Sequence, residues 1–277
     1  MQVGFLGPAG TFTEEALRAS SPAVTAIEEV PYGSEFETVM AVQAGAVDRG
    51  VVPIENSLEG SVTATLDTLA SEADGVRIVA EVVRAVRHCL VARPGIELGD
   101  VRRVVSHPQA IAQCTEYLRA HLPDAERASA ASTAVAVRAV AEGPDQAAAI
   151  GTRLAAELYG CVVLAEGIED RHDNHTRFVW LAPEGTEPDR PPAKTSIVFW
   201  GFNDTSPGAL MRVLAELADR EINLTKIESR PRRVRLGHYM FFADLEGAAG
   251  DERVREALDA LSNRVQTLKV LGSYPVL

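Results

Sequence analysis

The segment DNHTRF, residues 173–178, combines side-chain types that could bind and activate a small anionic molecule. Asn174 and Thr176 carry amide and hydroxyl groups, Arg177 carries a guanidinium group, and an apolar run at residues 178–182 indicates a buried strand. A polar loop that leads into a buried strand predicts a ligand site at the edge of a sheet. The guanidinium group could bind a carboxylate through two parallel hydrogen bonds, and an ion pair within the fold is the alternative.

Four other polar segments stand where a strand gives way to a helix: residues 7–11, 55–57, 106–109 and 132–133. In layered α/β folds, ligands bind beyond the carboxyl ends of the strands, where helix amino termini present unpaired N–H groups. Each segment taken singly is better explained as a helix cap, because serine and threonine favour that position. Together with the Thr-Arg loop, however, the four segments predict one shared cleft.

The charge of the chain limits the class of partner. The formal net charge is -12 and the isoelectric point is about 5.0, whereas nucleic acid or an anionic membrane would require a basic surface. We therefore expect neither as a partner. The first lysine of the chain is Lys194, so an anion bound before it must be held by arginine, hydroxyl and amide groups and by helix amino termini.

Cysteine usage and hydropathy predict a reduced, cytoplasmic protein without a metal site. Cys89, Cys114 and Cys161 are odd in number, widely spaced and flanked by apolar residues, which favours reduced core positions over disulfides or metal ligands. The apolar stretches are short and interrupted, and the first residues look like a strand rather than a signal peptide. We therefore expect no metal and no membrane segment.

Length and composition predict two folded units. A chain of 277 residues suits two domains, and the Pro-rich, aperiodic run at residues 183–193 indicates a linker between them. The first unit shows strands that alternate with helices, which predicts α/β layers with a largely parallel sheet. Its strands are expected at residues 2–6, 50–54, 101–105 and 147–150, and helices are expected to begin near Thr11, at Pro108 (to residue 118) and at Ser132.

The second unit shows a different order of elements. Two helices alternate with four strands in the sequence βαββαβ, which is typical of a ferredoxin-like domain with both helices on one face of an antiparallel sheet. The strands are expected at residues 195–202, 222–229, 238–245 and 265–274, and the helices at residues 207–218 and 251–261.

These motifs resemble those of one enzyme family. Across nearly its whole length the chain resembles prephenate dehydratase, with a catalytic part at residues 1–182, a linker at residues 183–193 and an ACT-type amino-acid-binding domain at residues 194–277. The matching motifs of the catalytic part are GPAGTFTE (7–14), VPIENS (52–57), SHPQ (106–109), STA (132–134) and NHTRF (174–178). Those of the ACT part are PGAL (207–210) and INLTKIESRP (222–231).

The resemblance implies conversion of prephenate to phenylpyruvate, with loss of water and carbon dioxide. It also implies that the catalytic part has two lobes, resembles periplasmic binding proteins and needs no metal or organic cofactor. It places Thr176 at the catalytic centre. A threonine hydroxyl is a poor acid, so it is expected to position or relay a proton, and Glu55 and His107 are the alternative acids. The expected substrate-binding residues are Asn56, Ser57, Ser106, His107, Gln113, Ser132, Thr133, Asn174, Arg177 and Phe178.

The ACT resemblance implies feedback control by L-phenylalanine. ACT sheets pair side by side, so a homodimer or homotetramer is implied as well. The expected effector-binding residues are Gly208, Ala209, Leu210, Asn223, Leu224, Glu228, Ser229, Arg230 and Pro231.

Two alternative functions stay open at this point. An arogenate dehydratase would differ only in accepting an amino group in place of the keto group of the substrate. A non-catalytic, amino-acid-responsive binding protein would use the same cleft and the same ACT domain, but it would not need Thr176 beside an acid and an arginine.

Overall fold

The chain folds into strands and helices that alternate along most of its length; the computed structural model describes residues 1–20, 26–143, 146–202 and 206–276. In this part of the chain the strands are β1 (Gln2–Leu6), β2 (Glu28–Tyr32), β3 (Arg49–Asn56), β4 (Gly60–Ser61), β5 (Val76–Ala85), β6 (Cys89–Ala92), β7 (Arg103–Ser106), β8 (Glu126–Ser129), β9 (Ala147–Gly151), β10 (Val162–Glu166), β11 (His175–Pro183), β12 (Lys194–Trp200), β13 (Leu224–Pro231), β14 (Tyr239–Glu246) and β15 (Thr267–Tyr274). The helices are α1 (Phe12–Ser20), α2 (Glu35–Gln43), α3 (Thr63–Ser71), α4 (Pro108–Gln113), α5 (Thr115–His121), α6 (Thr133–Glu142), α7 (Arg153–Leu158), α8 (Ala209–Ala218) and α9 (Glu252–Ser262).

The described residues up to Pro183 form two lobes, as the family resemblance implies. The first lobe contains the strand order β5-β11-β3-β1-β2, and the second lobe contains a separate sheet with the order β10-β6-β9-β7-β8. The chain crosses between the lobes at residues 86–88 and again at residues 167–174. The two crossings bond to each other, because the Val86 N–H lies 2.9 Å from the Asn174 carbonyl and the Ile168 N–H lies 3.2 Å from the His88 carbonyl. A cleft with a hydrogen-bonded hinge follows from this topology.

The expected parallel sheet is only partly correct. β1 is parallel to β2 and β3, and β7 is parallel to β8 and β9. In contrast, β11 runs antiparallel to both β3 and β5. The reason is that β11 enters the first lobe from the hinge, so it begins at the cleft where β3 ends. This reversal pairs Thr176 with Asn56 at the edge of the cleft.

The helix expected over residues 108–118 is interrupted. It divides at Cys114 into α4 and α5. Asp170, from the second hinge crossing, accepts hydrogen bonds of 3.0 Å from the N–H groups of both Thr115 and Glu116. A carboxylate that satisfies the first amides of α5 stabilises a new helix start at this position, and the hinge is thereby joined to the second lobe.

The described residues from Lys194 to Val276 confirm the βαββαβ order. β12, α8, β13, β14, α9 and β15 follow one another, and the antiparallel strands lie in the order β13-β14-β12-β15. α8 and α9 both pack on one face of this sheet. The core between them includes Ile197, Phe199, Val213, Leu217 and Leu261, all of which are buried.

The opposite face of this sheet packs against the first lobe. Val198, Phe242 and Leu271 share one buried cluster with Leu66 and Leu69 of α3. The sheets of the two parts also join, because Gly272 of β15 pairs with Ile78 of β5. A β-carbon at Gly272 would collide with the backbone of Ile78, so this close approach requires glycine. Burial on both faces explains the apolar runs of β12 and β14.

Residues 184–193 connect β11 to β12 without a helix or strand. The segment is held to the first lobe, since the Glu184 N–H donates to the Gly75 carbonyl at 2.8 Å and Asp189 lies 3.2 Å from the Arg49 guanidinium. The division into domains at residues 182 and 194 stays a prediction. Within the described ranges, no helix has the length and hydropathy needed to cross a bilayer.

Candidate functional site

A cavity of about 480 Å³ lies in the cleft between the two lobes. It is bounded by the starts of α1, α4 and α6, the end of β3, the start of β11 and both hinge crossings. A concave site of this size at a lobe boundary is a typical small-molecule site. The residues that line it include Thr11, Phe12, Pro53, Asn56, Ser61, Val62, His88, His107, Gln109, Gln113, Ser132, Thr133, Asn174, Thr176 and Phe178.

The hydroxyl group of Thr176 is oriented by the amide of Asn56. The Asn56 Oδ1 atom accepts from the N–H groups of Leu58 at 2.9 Å and Glu59 at 3.0 Å, so the Nδ2 atom must face the other way. Nδ2 donates to Thr176 Oγ1 at 2.9 Å and to Asn174 Oδ1 at 2.8 Å. Because Thr176 Oγ1 accepts from Asn56, its own proton is available to a ligand in the cleft.

Further hydrogen bonds connect Asn56 to the residues of the hinge. Asn174 Oδ1 accepts from Asn56, so Asn174 Nδ2 donates to Gln113 Oε1 at 3.2 Å. The His88 Nε2 atom lies 3.0 Å from the same oxygen and must therefore carry a proton. A chain of hydrogen bonds thus runs from Thr176 to His88, and it leaves the NH₂ group of Gln113 as a donor at the cavity wall.

His88 is held neutral by its surroundings. The residue is 2% exposed, and burial lowers the pKa of its imidazole, although the hydrogen bond with Gln113 and the charge of Glu169 act in the opposite direction. A neutral imidazole with its proton on Nε2 presents Nδ1 as an acceptor.

The cavity wall supplies uncharged donors. Among the described residues that line it, none is a lysine or an arginine, and the carboxylates are those of Glu35 and Glu59. Ser132 caps α6 through its hydroxyl oxygen, which accepts from the Val135 N–H at 3.1 Å. The amino terminus of α6, with Thr133 as its first residue, therefore faces the cavity, and its amides and dipole suit an anion.

Arg177 lies outside this cavity wall. Successive residues of a strand point to opposite faces, and the Arg177 side chain lies 2.7 Å from Asp244, 3.0 Å from Glu81 and 3.2 Å from Glu55. The contact of Nε with Glu55 is not aligned as a hydrogen bond. Burial alone would lower the pKa of the guanidinium, but the three carboxylates, Asp244 foremost, raise the pKa. The geometry therefore matches the ion-pair alternative.

Three further residues expected at the site also lie outside the wall. Glu55 pairs with Arg177 and with Lys226, each at 3.2 Å. The Ser106 hydroxyl is buried and donates to the Ile150 carbonyl at 2.7 Å. The Ser57 hydroxyl donates to the Asp173 carbonyl at 3.2 Å and accepts from the His175 N–H at 2.9 Å. These contacts hold the strands that carry the site. The cavity wall includes the other expected residues, namely Asn56, His107, Gln113, Ser132, Thr133, Asn174, Thr176 and Phe178.

His88 and Ser61 line the cavity, although no sequence pattern indicated them. His88 precedes the apolar strand β6 as a single histidine, and a single histidine beside a buried strand has no spacing that indicates a site. Ser61 belongs to the two-residue strand β4, which pairs with the end of β3.

A second cavity of about 300 Å³ lies at the start of α8. Gly208, Ala209 and Leu210 line it, together with the aromatic side chains of Phe202 and Tyr239. Gly208 caps α8 with a φ of 74°, a left-handed conformation that favours glycine. Three of the expected effector residues are therefore brought together.

The other expected effector residues lie on β13 or directly before it, and they do not line this cavity. Alternate residues of β13 face the first lobe: Glu228 contacts Ser61, and Arg230 forms two bonds of 2.7 and 2.8 Å with Asp67. Ser229 and Pro231 are exposed on the opposite face. Leu224 packs in the core under α8 and α9, and Asn223 donates to Glu246 at 3.0 Å.

No group of three or more histidine, cysteine, aspartate or glutamate side chains in the described ranges could hold a metal ion. The three cysteines are free thiols, of which Cys89 and Cys114 are buried. Burial raises the pKa of both thiols, so neither is an activated nucleophile.

Two protein-family models match this chain, one in its first part and one in its last part. The model of the family described as prephenate dehydratase matches residues 3–186, and that of the ACT domain matches residues 196–263. The prephenate dehydratase of Mycobacterium sp. (strain JLS) is 44% identical over 283 residues, which cover 99% of this chain and 89% of that protein.

Two solved structures extend the similarity. A prephenate dehydratase in complex with L-Phe from Arthrobacter aurescens is 40% identical with a TM-score of 0.90, and the match covers 99% of this chain and 90% of that one. GqqA, described as a novel type of quorum quenching acylase, is 32% identical with a TM-score of 0.86, and the match covers 100% of this chain and 98% of that one.

The buried position of Arg177 predicts a large loss of stability when its charge is removed. Arg177→Met leaves the nearly buried Asp244 without a cationic partner and leaves Glu81 with Lys194 alone, and should cost about 3–5 kcal/mol and lower Tm by about 6 °C or more. Differential scanning calorimetry measures the change.

Arg171→Met is the matched control, because Arg171 pairs with Asp173 at 2.8 Å while both side chains are about two-thirds exposed. Exposed pairs contribute little, so this variant should hardly change Tm. Equal Tm values for the two variants would contradict a structural role for the Arg177 cluster.

Proposed function

We infer that this chain, which belongs to the prephenate dehydratase family, removes water and carbon dioxide from prephenate to give phenylpyruvate. The observation that carries the inference is the Thr176 hydroxyl, whose proton is directed away from Asn56 at the wall of a cleft with uncharged donors. Family membership, with 44% identity to a curated prephenate dehydratase over almost the whole chain, supplies the reaction. The protein is thus a carbon–oxygen lyase.

The reaction requires one proton at the leaving oxygen. The C–C bond to the ring carboxylate breaks, its electron pair enters the ring, and the opposite C–O bond breaks, so that the ring becomes aromatic. The products are phenylpyruvate, carbon dioxide and, once the departing hydroxide has gained a proton, water. We assign Thr176 as the group that donates a hydrogen bond or a proton to this oxygen. The Asn56 N–H bond to Thr176 Oγ1 stabilises negative charge that develops on that atom.

The two carboxylates of prephenate require donors at the cavity wall. We propose that the NH₂ group of Gln113 and the amino terminus of α6, at Ser132 and Thr133, bind them. Neutral donors and a helix dipole bind an anion without a formal cation, which suits a wall where the described residues include no lysine or arginine. Arg177 then acts on the site through the strand that carries Thr176, not through the substrate.

We propose that the ACT part binds L-phenylalanine as a feedback effector at the cavity beside Gly208. A related structure is a complex with L-Phe, and the aromatic wall formed by Phe202, Tyr239 and Phe241 suits a phenyl ring. A route to the cleft exists through β13, because Lys226 donates to Ser61 Oγ at 2.6 Å and Glu228 contacts the same serine, which lines the catalytic cavity.

We also propose a cytoplasmic homodimer that forms through β13. This strand lies at one edge of the described ten-stranded sheet, so its outer backbone groups are open to a second strand. Ile227 points to the face of β13 that is turned away from the first lobe and is 48% exposed. Ser229 lies on the same face, two positions further along the strand. Pairing of two such edges would bury this apolar side chain and extend the sheet.

The assigned role of Thr176 predicts a loss of turnover without a loss of fold. Thr176→Ala should lower kcat by about a hundredfold or more, the scale for a positioned proton-transfer group, whereas Thr176→Ser keeps the hydroxyl and should retain measurable activity. Asn56→Asp is the stricter variant, since its oxygens still accept from Leu58 and Glu59 but it can no longer donate to Thr176. Its kcat should fall into the range of Thr176→Ala.

Phenylpyruvate formation from prephenate, and phenylalanine formation from arogenate, measure these effects and identify the preferred substrate. Wild-type enzyme without activity on either substrate would contradict the proposed function and favour a binding protein. A folded Thr176→Ala enzyme with near-normal kcat would contradict the assignment of Thr176 alone.

The contact between β13 and Ser61 predicts a variant with weakened regulation. Lys226→Met removes the bonds to Ser61 and Glu55 and should raise the L-phenylalanine concentration for half-inhibition, measured against the variant's own uninhibited rate, by about fivefold or more. Lys269→Met is the control, because Lys269 also joins the two parts, at Asp74, and neither residue lines the cleft cavity. Inhibition kinetics and effector calorimetry measure both variants.

Equal inhibition of the two lysine variants would contradict coupling through Ser61. Sedimentation equilibrium on the same samples tests the assembly, and a mass equal to the single chain of 29.7 kDa would contradict the dimer.

A further inference from the structure

His88 is a cavity residue that the proposed reaction has not yet used. It belongs to the first hinge crossing, between β5 and β6, and its ring forms a T-shaped contact with that of Phe12, at a centroid distance of 5.5 Å and an angle of 82°. Phe12 lines the same cavity. The backbone N–H of His88 donates to Glu169 of the other crossing at 2.9 Å. The imidazole is therefore fixed at the hinge of the cleft by contacts on two sides.

The hydrogen-bond chain determines which nitrogen of His88 is left for a ligand. The N–H groups of Leu58 and Glu59 orient Asn56, Asn56 orients Asn174, and Asn174 donates to Gln113 Oε1. Since Gln113 Oε1 can only accept, the proton of His88 lies on Nε2, 3.0 Å away. Nδ1 is then a lone-pair acceptor, and it is buried without a hydrogen-bond partner among the described residues.

A buried acceptor without a partner is costly unless a ligand satisfies it. The chemistry of prephenate restricts which group can do so. At neutral pH its two carboxylates and its keto oxygen only accept hydrogen bonds, and the ring hydroxyl is its single donor. If the cleft binds prephenate as proposed above, the hydroxyl is the group that Nδ1 can pair with.

We propose that His88 Nδ1 accepts a hydrogen bond from the ring hydroxyl that leaves as water. With its O–H directed at His88, the leaving oxygen turns a lone pair away from the imidazole and is free to accept from Thr176. His88 is thus a catalytic residue that contacts the reacting oxygen, and its neutral state is required because a proton on Nδ1 would remove the acceptor. Burial at the hinge maintains that state.

Two substitutions separate this contact from the contact with Gln113. His88→Gln places an amide NH₂ near the position of Nε2, so it keeps a donor to Gln113 and removes the acceptor at Nδ1. His88→Asn places an amide oxygen near Nδ1, so it keeps an acceptor and removes the bond to Gln113. His121→Gln is the control, because His121 stacks on Tyr117 and does not line the cavity.

The measurement compares kcat/KM for prephenate with the inhibition constant of phenylpyruvate. Phenylpyruvate carries the same pyruvyl side chain as prephenate but has no ring hydroxyl. His88→Gln should lower kcat/KM by about tenfold or more, because the substrate hydroxyl loses its partner in the cleft, with the phenylpyruvate constant changed by less than about twofold. His88→Asn should retain a higher kcat/KM than His88→Gln, and His121→Gln should match the wild-type enzyme.

Three results would overturn the proposal. One is a kcat/KM of His88→Gln within about twofold of the wild-type value, and another is an equal loss of phenylpyruvate binding, which would indicate only a change in cavity shape. The third is a lower kcat/KM for His88→Asn than for His88→Gln, which would make His88 a positioning residue for Gln113. Inactivity of the wild-type enzyme on prephenate would instead refute the proposed function.

Discussion

The guanidinium group of Arg177 lies among three carboxylates from three strands, and the position of the neighbouring Thr176 hydroxyl depends on this cluster. Glu55 belongs to β3, Glu81 to β5 and Asp244 to β14. Three cations, Arg177, Lys194 and Lys226, pair with these three acids, so each charge of the cluster has a partner of opposite sign. Because Thr176 and Arg177 are adjacent in β11 and point to opposite faces, fixing the guanidinium on one side fixes the hydroxyl on the other.

The same cluster joins the catalytic lobes to the ACT part. Each of the three lysines of the chain lies in the ACT part and pairs with an acid of the first lobe: Lys194 with Glu81, Lys226 with Glu55, and Lys269 with Asp74. In the fourth pair the cation, Arg177, belongs to the first lobe and the acid, Asp244, belongs to the ACT part. Together with the shared apolar cluster under α3, these pairs make the ACT sheet a wall of the first lobe. A change at β13 can therefore reach the cleft over short distances.

Much of the cleft could be predicted from the sequence. Residues 55–57, 106–109, 132–133 and 173–178 were expected to meet because strand ends and helix starts share one edge of an α/β layer, and the cavity wall contains residues from all four. The direction of Arg177 could not be predicted, since it depends on the antiparallel return of β11 and on Asp244, which is 67 positions away in the sequence. His88 was missed for a related reason: its partner Gln113 is 25 positions away in the sequence, and Asn174 of the second hinge crossing orients that partner. The predicted effector residues of β13 diverge because strand alternation sends Glu228 and Arg230 towards the first lobe and leaves Ser229 and Pro231 on the other face.

The most direct test of this account is a double-mutant cycle on the free energy of unfolding of the whole chain, with Arg177→Met and Asp244→Leu alone and combined. The two side chains are 2.7 Å apart and belong to the two parts of the protein. If their ion pair joins those parts, the cycle should give a coupling energy of about 2 kcal/mol or more. Effects that add within about 0.5 kcal/mol would show that the two side chains act independently, and the central role of Arg177 would be contradicted.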